Sequence, residues 1–143
     1  MLIQTQSSNS PLENKGRILV MDDEILIRQM LGKMLTYLGY TSVLTKNGEE
    51  AVEIYRQEFE KGQSFHALIF DWNVISGMNG FQALEQILKI DPQAKAFLSS
   101  GYSQIEAEAK WRAGGFMGVI DKPFDLKKLS QSLMQVHNQN IFP

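Results

Sequence analysis

Arg17-Ile-Leu-Val-Met-Asp-Asp-Glu24 is the stretch from which the fold can be read. Its first five residues form an apolar run without alternation, which suits a strand buried on both faces. Asp22 and Asp23 end that run. Behind them Ile27, Met30, Leu31, Met34, Leu35 and Leu38 recur at spacings of three and four, which predicts a helix with one apolar face. Gly39 follows as its stop signal. The same unit returns along the chain as architecture, not as repeated sequence. Thr41–Thr45 reads as a second strand, and Asn47 is placed to cap a helix over residues 48–61. Ala51, Val52, Tyr55 and Phe59 fall on its inner face, and Gly62 ends it. Ala67-Leu-Ile-Phe70 is the third strand and stops at Asp71.

A loop with Gly77 and Gly80 leads into a helix carrying Phe81, Leu84, Ile87 and Leu88. Asp91-Pro92 breaks that helix, because proline disfavours a helical residue before it. Ala94–Ser99 is the fourth strand, and Ser103-Gln-Ile-Glu106 has capping-box spacing for a fourth helix, closed by Gly114-Gly115. Met117–Ile120 is the fifth strand. Asp125 caps a last helix bearing Leu126, Leu129, Leu133 and Val136. Five strands alternating with five helices call for a parallel sheet covered on both faces. At this length the expected form is the flavodoxin-like (βα)5 sandwich, an α/β fold with strand order 2-1-3-4-5 and right-handed crossovers. Residues 1–16 read as a polar tail or linker, 17–137 as the folded domain and 138–143 as a C-terminal tail.

Composition narrows the function. The 143 residues are 43% hydrophobic and 21% charged, as a globular domain requires, with a formal net charge of -2. That balance argues against direct binding of nucleic acid, which needs a basic footprint. The absence of cysteine excludes disulfide scaffolds, thiol nucleophiles and thiolate metal sites. His66 and His137 are the only histidines. His66, just before a strand, reads as structural, and His137 falls in a polar tail with nothing to mark it as a phosphodonor. No apolar run approaches the roughly 18 residues of a membrane span, and the N-terminus lacks the features of a signal peptide. A cytoplasmic protein without direct membrane contact is the expectation.

In such sheets ligands bind at the carboxyl ends of the strands, where the winding reverses. Asp22 and Asp23, Asp71, Ser99 and Ser100, and Asp121 and Lys122 all fall at strand ends on that edge. Like carboxylates about 5 Å apart at an effective dielectric of about 20 repel by roughly 3 kcal/mol. Either a pKa rises or a cation joins them. Hard oxygen donors without histidine or cysteine favour magnesium. Magnesium beside a lysine and a hydroxyl suits phosphoryl transfer, with Asp71 as the nucleophile. The plainer readings are a capping role for Asp22 and Asp23 on the first helix, a turn role for Asp71, a structural ion pair for Lys122 and local backbone bonding for Ser100. Trp72 reads as a packing residue beside Asp71, and the seven methionines as core filler.

Ile18-Leu-Val-Met-Asp-Asp-Glu24, Phe70-Asp71, Ser100-Gly101-Tyr102 and Asp121-Lys-Pro-Phe124 together resemble the receiver domains of two-component response regulators. The likeness covers roughly Gly16 to Val136. The loop from Asp71 to Gly80 is one residue longer than usual, and with Ser99-Ser-Gly-Tyr-Ser103 it looks like receivers of hybrid histidine kinases. The resemblance implies that Asp71 accepts a phosphoryl group from a phosphohistidine. It implies that Asp22, Asp23, Asp71 and the backbone carbonyl of Asn73 hold Mg2+. Lys122 would pair with a phosphoryl oxygen, Ser100 would turn its hydroxyl toward it, and the Lys122-Pro123 bond would be cis. The implied partners are a histidine kinase or histidine phosphotransfer domain and a downstream protein target, with a homodimer possible. The response would appear on the face of the fourth helix, fifth strand and last helix.

Two positions depart from the family. Ile75 stands where proline is common, and Val119 stands at the switch aromatic, which puts the usual coupled rotation in doubt. Tyr102 lies near Ser100 as a substitute, and Asn73 and Tyr102 hold the positions that commonly tune phosphoryl lifetime. Three rival classes are an aspartyl-nucleophile phosphatase, a flavin protein and a receiver-like interaction scaffold. Asp71-Trp72-Asn73 lacks the second carboxylate of the first, and Asp22-Asp23-Glu24 would repel the phosphate of the second. The full residue set argues against the third. The expectation is thus a signalling module that catalyses its own phosphorylation and dephosphorylation, not an enzyme acting on other substrates. Only residues 137–143 follow Val136, so the chain reads as a single-domain regulator or as a receiver from a larger kinase.

Overall fold

A computed structural model of the chain describes residues 14–72, 74, 77–101 and 110–141, with side chains through His137. Its strands are β1 (Arg17–Met21), β2 (Thr41–Thr45), β3 (Ala67–Asp71), β4 (Ala96–Ser100) and β5 (Gly118–Asp121). Its helices are α1 (Ile25–Tyr37), α2 (Gly48–Glu60), α3 (Gly80–Ile90) and α4 (Leu126–Ile141). The five strands are parallel and run in the order β2-β1-β3-β4-β5, as the alternation predicted. The fourth expected helix falls largely on residues 102–109, which lie outside those described, as do Asn73, Ile75, Ser76 and most of the N-terminal polar segment. That region resumes at Lys110, and Gly115 ends it with φ +95°.

Side-chain alternation along the strands divides the core between the two faces of the sheet. Leu19 and Met21 pack with Leu68, Phe70 and Leu98 beneath Ala51 and Tyr55 of α2 and Leu84 and Ile87 of α3. Ile18 and Val20 pack with Ile69, Phe97 and Ile120 beneath Leu31 and Leu35 of α1 and Leu129, Leu133 and Val136 of α4. Both faces are covered, which is why these strands read as continuous apolar runs.

Helix starts follow local chemistry. Asn47 accepts a hydrogen bond from Glu50 N, as expected, and Asp125 accepts one from Lys128 N. Asn79 and Gln82 form a reciprocal capping box on α3 that the sequence reading had not singled out. Three expectations need correction. Met30 and Phe59, placed on inner helix faces, are exposed, because each lies at the margin of its apolar stripe. The fourth and fifth strands begin later than expected and extend to Ser100 and Asp121, since ladder pairing with β3 and β4 sets their ends. His137 is helical, because α4 continues to Ile141.

Gly80 begins α3 against the backbone of Asp71, so an added Cβ would overlap the Asp71 carbonyl oxygen and lie 3.3 Å from Phe70 Cβ. Backbone atoms have little room to yield. Gly80→Ala is therefore expected to cost about 2 kcal/mol, the range of overpacked sites, measured as a lower urea midpoint at unchanged slope. An unchanged midpoint would refute this packing account.

Candidate functional site

The crossover from β1 to β2 and back to β3 leaves a crevice between the carboxyl ends of β1 and β3, where the winding reverses. Asp22 follows β1 and Asp71 ends β3, facing each other across it. Asp22, Asp23 and Asp71 each offer a carboxylate oxygen, and these oxygens lie within 4.8 Å of one another. Asp22 and Asp71 are buried, while Asp23 is partly open. Lys122 arrives from the end of β5. Its Nζ lies 2.8 Å from Asp22 Oδ2 and donates to Asp71 Oδ1 at 3.0 Å. Its side chain is only 18% exposed.

Backbone hydrogen bonds fix these positions. Asp22 N donates to Thr45 O, Trp72 N to Ser99 O and Lys122 N to Ser100 O. Strand register therefore sets where each functional side chain begins. Ser100 is buried at the end of β4, opposite Asp121 in the ladder. The Lys122-Pro123 bond is cis, as the resemblance implied. The reading of Asp22 and Asp23 as caps of α1 does not hold. The α1 N-cap is Glu24, without a side-chain cap, and Asp22 Oδ1 accepts from Glu24 N instead.

Two contributors escaped the sequence reading. Arg28 Nη1 donates to the Asp22 backbone carbonyl at 2.8 Å, one turn into α1. Thr45 donates its hydroxyl to Val20 O at 2.7 Å, closing the ladder just before the acidic pair. Neither has a motif, although Arg28 stands one helical turn after Glu24.

The electrostatics follow from burial and crowding. Burial pushes the Asp71 carboxyl up to about 6, and the charge of Asp22 adds to this against the pull of Lys122. For Lys122, burial acts downward, but its contacts with Asp22 and Asp71 outweigh it and place the ammonium above its ordinary value. One cation thus serves two buried carboxylates.

The donor set fits a hard divalent ion. The three groups that converge are carboxylates, and among the described residues no other such cluster occurs. Asp22 Oδ2 meets Lys122 Nζ at 2.8 Å and has no other partner among the described residues. A buried carboxylate oxygen left in this state has coordination capacity to spare. Asn73, the fourth expected ligand through its carbonyl, and Tyr102 lie outside the described residues. Chemically, the site offers a carboxylate nucleophile, a lysine for anionic oxygens and a buried serine at the neighbouring strand end.

A doubly covered parallel sheet with an acidic crevice and a strand-end lysine defines a CheY-like receiver. Residues 18–134 match the model of the response regulator receiver domain, and the chain belongs to that family. It is 31% identical over 122 residues to the chemotaxis protein CheY of Thermotoga maritima, covering 84% of this chain and 96% of that protein. A receiver domain from Clostridium thermocellum superposes with a TM-score of 0.76 at 23% identity, over 87% of this chain and 95% of that one. A chain of the CheX–CheY–BeF3–Mg2+ complex from Borrelia burgdorferi gives a TM-score of 0.71 at 26% identity, over 85% of this chain and 88% of that one. Among the described residues no helix is long and apolar enough to cross a membrane.

Proposed function

We propose that this chain is the phosphoacceptor of a two-component phosphorelay, with Asp71 as the acceptor. The observation that carries the reading is a single ammonium, Lys122, joined to two buried carboxylates at the winding reversal. An Asp71 oxygen attacks the phosphorus of a phosphohistidine. The new O–P bond forms as the P–N bond breaks, and the imidazole leaves with the electron pair and takes up a proton. Lys122 follows the negative charge onto the phosphoryl oxygens, and Ser100 supplies a hydroxyl donor beside it. Asp22, Asp23 and Asp71, with the Asn73 carbonyl, would hold Mg2+, which supplies charge neutralisation for the transferring group when bound.

The partners in this reading are a histidine kinase or a histidine phosphotransfer domain and a downstream protein target, with a second copy of the chain as a further candidate. The module catalyses its own phosphorylation and dephosphorylation in the cytoplasm. The length of the Asp71–Gly80 loop, with Ser99-Ser-Gly-Tyr-Ser103, supports a likeness to receivers of hybrid histidine kinases. The response to phosphorylation lies on the face of the expected fourth helix, β5 and α4, and Val119 at the switch position departs from the family's aromatic there.

The test is intact mass after incubation with Mg2+ and a small acyl-phosphate donor. One added phosphoryl group is expected, lost without Mg2+ and lost in Asp71→Asn. No mass gain in the parent protein, with Trp72 fluorescence also unchanged by Mg2+, would replace this reading with the interaction scaffold.

A further inference from the structure

The chain's two histidines stand 71 positions apart in sequence, yet their rings meet. Their centroids are 4.1 Å apart at an interplanar angle of 37°. Tyr40 closes the group, with centroids 5.6 Å from His66 and 6.3 Å from His137. His66 Nε2 lies 3.3 Å from the Leu133 carbonyl oxygen of α4. The cluster joins three elements: the residue before β3, the turn after α1 and the last turns of α4. It sits at the opposite end of β3 from Asp71, about 16 Å away for five residues of strand.

We propose that the His66–His137 pair is an acid-operated latch, holding the C-terminal end of α4 against the sheet when neutral and releasing it when both rings are protonated. Two facing imidazoliums repel at this spacing. Of the charged groups lining the crevice beside His66, Arg17 and Lys95 are cations, and Asp91, the one carboxylate there, accepts from the Tyr55 hydroxyl. Leu133 presents a carbonyl oxygen 3.3 Å from His66 Nε2, a neutral acceptor that carries no formal charge. Tyr40 presents a buried phenol whose ionisation burial pushes upward. The charged group facing Tyr40 is Lys15, a cation with Nζ 6.0 Å from the ring centroid. Arg17, on the adjoining strand, is engaged with Glu58 at 2.7 Å. Among the described residues neither histidine has a carboxylate within ion-pair distance.

Burial holds the His66 ring below its ordinary value, with His137 charge acting the same way and the Leu133 carbonyl opposing. A histidine depressed on folding stabilises the fold fully above the unfolded value of 6.5. That contribution is lost as pH falls through the lower folded value. Asp71 acts in the opposite sense over its own range, so the latch must be read locally and in an Asp71→Asn background.

The experiment follows both histidine rings and the amide protection factors of residues 134–141 by NMR, on the full chain, from pH 7.5 to 5.5. Each pKa unit of depression corresponds to about a tenfold loss of protection at the end of α4. His137→Gln should raise the His66 titration and flatten the pH dependence of protection. His66→Phe, which keeps a ring on Tyr40 without a proton site, should flatten it as well. Unaltered His66 titration in His137→Gln, or equal pH dependence at residues 134–141 in parent and both variants, overturns the latch. These outcomes are independent of phosphorylation.

Discussion

Asp71→Asn is expected to abolish phosphoryl uptake and, above pH 6, to make the protein more stable. The two effects separate a functional carboxylate from a structural one. Were Asp71 kept for its contact with Lys122, removing its charge would weaken the fold. Its carboxyl instead sits at about 6, against 3.8 for the free group, because burial and Asp22 outweigh Lys122. The folded chain therefore binds this proton more tightly than the unfolded chain. Its stability falls as pH rises from about 4 to about 6 and is level above that. The full shift corresponds to about 3 kcal/mol, of which about 2 should be recovered when asparagine keeps the hydrogen-bond acceptor without the charge. Urea unfolding at pH 4 and pH 8 measures it. The gain should appear at pH 8 and vanish at pH 4. A loss of stability at pH 8 would make Asp71 a structural residue. Mg2+ should reverse the order of the two proteins at pH 8, since the parent holds the ion more tightly.

Legibility in the sequence divides along physical lines. Strands and their order could be read because buried parallel strands are continuous apolar runs, and because the alternation with helices leaves few topologies. The positions of Asp22, Asp71 and Lys122 followed, since a strand end fixes the edge on which a side chain emerges. Which carboxylates Lys122 would touch could not be read. That depends on how a long flexible side chain settles between Asp22 and Asp71 after β5 has docked on β4. The exposure of Met30 and Phe59 was hidden for a related reason, because periodicity locates an apolar stripe but not its margins. The contact of His66 with His137 had no local signature, since it is made by the return of α4 across the base of the sheet. Gly80 left a partial signal, a glycine opening a helix. Its cause, the nearness of the Asp71 carbonyl, belongs to the tertiary fold.

Lys122→Ala is expected to be the most damaging single change at the site, and its damage should depend on pH in a telling direction. The ammonium contacts Asp22 at 2.8 Å and Asp71 at 3.0 Å, and both carboxylates are buried. Removing one partner of a buried pair usually costs 3–5 kcal/mol, because the remaining charge is stranded. Lys122 keeps some exposure, so a loss of about 2–3 kcal/mol is the expected outcome near pH 8. Arg28 is close but engages the Asp22 backbone carbonyl, so it does not replace the missing cation where it stands. With Lys122 gone, the Asp71 carboxyl should rise above its present value, and protonation at pH 5 should relieve much of the repulsion. The variant should therefore be nearest to the parent in acid and furthest from it in mild alkali. Lys122→Met, which keeps most of the stem, should show the same pH dependence, separating charge from packing. Phosphoryl uptake should fall about a hundredfold in both, as when one preorganised donor is removed from a transferring group. Added Mg2+ should restore stability in Lys122→Ala without restoring that rate, because a divalent ion can quiet three carboxylates while the phosphoryl oxygens still lack the lysine. A variant as stable as the parent at pH 8, or one whose uptake in Mg2+ matches the parent's, would show that the bridge between Asp22 and Asp71 is not what organises this site.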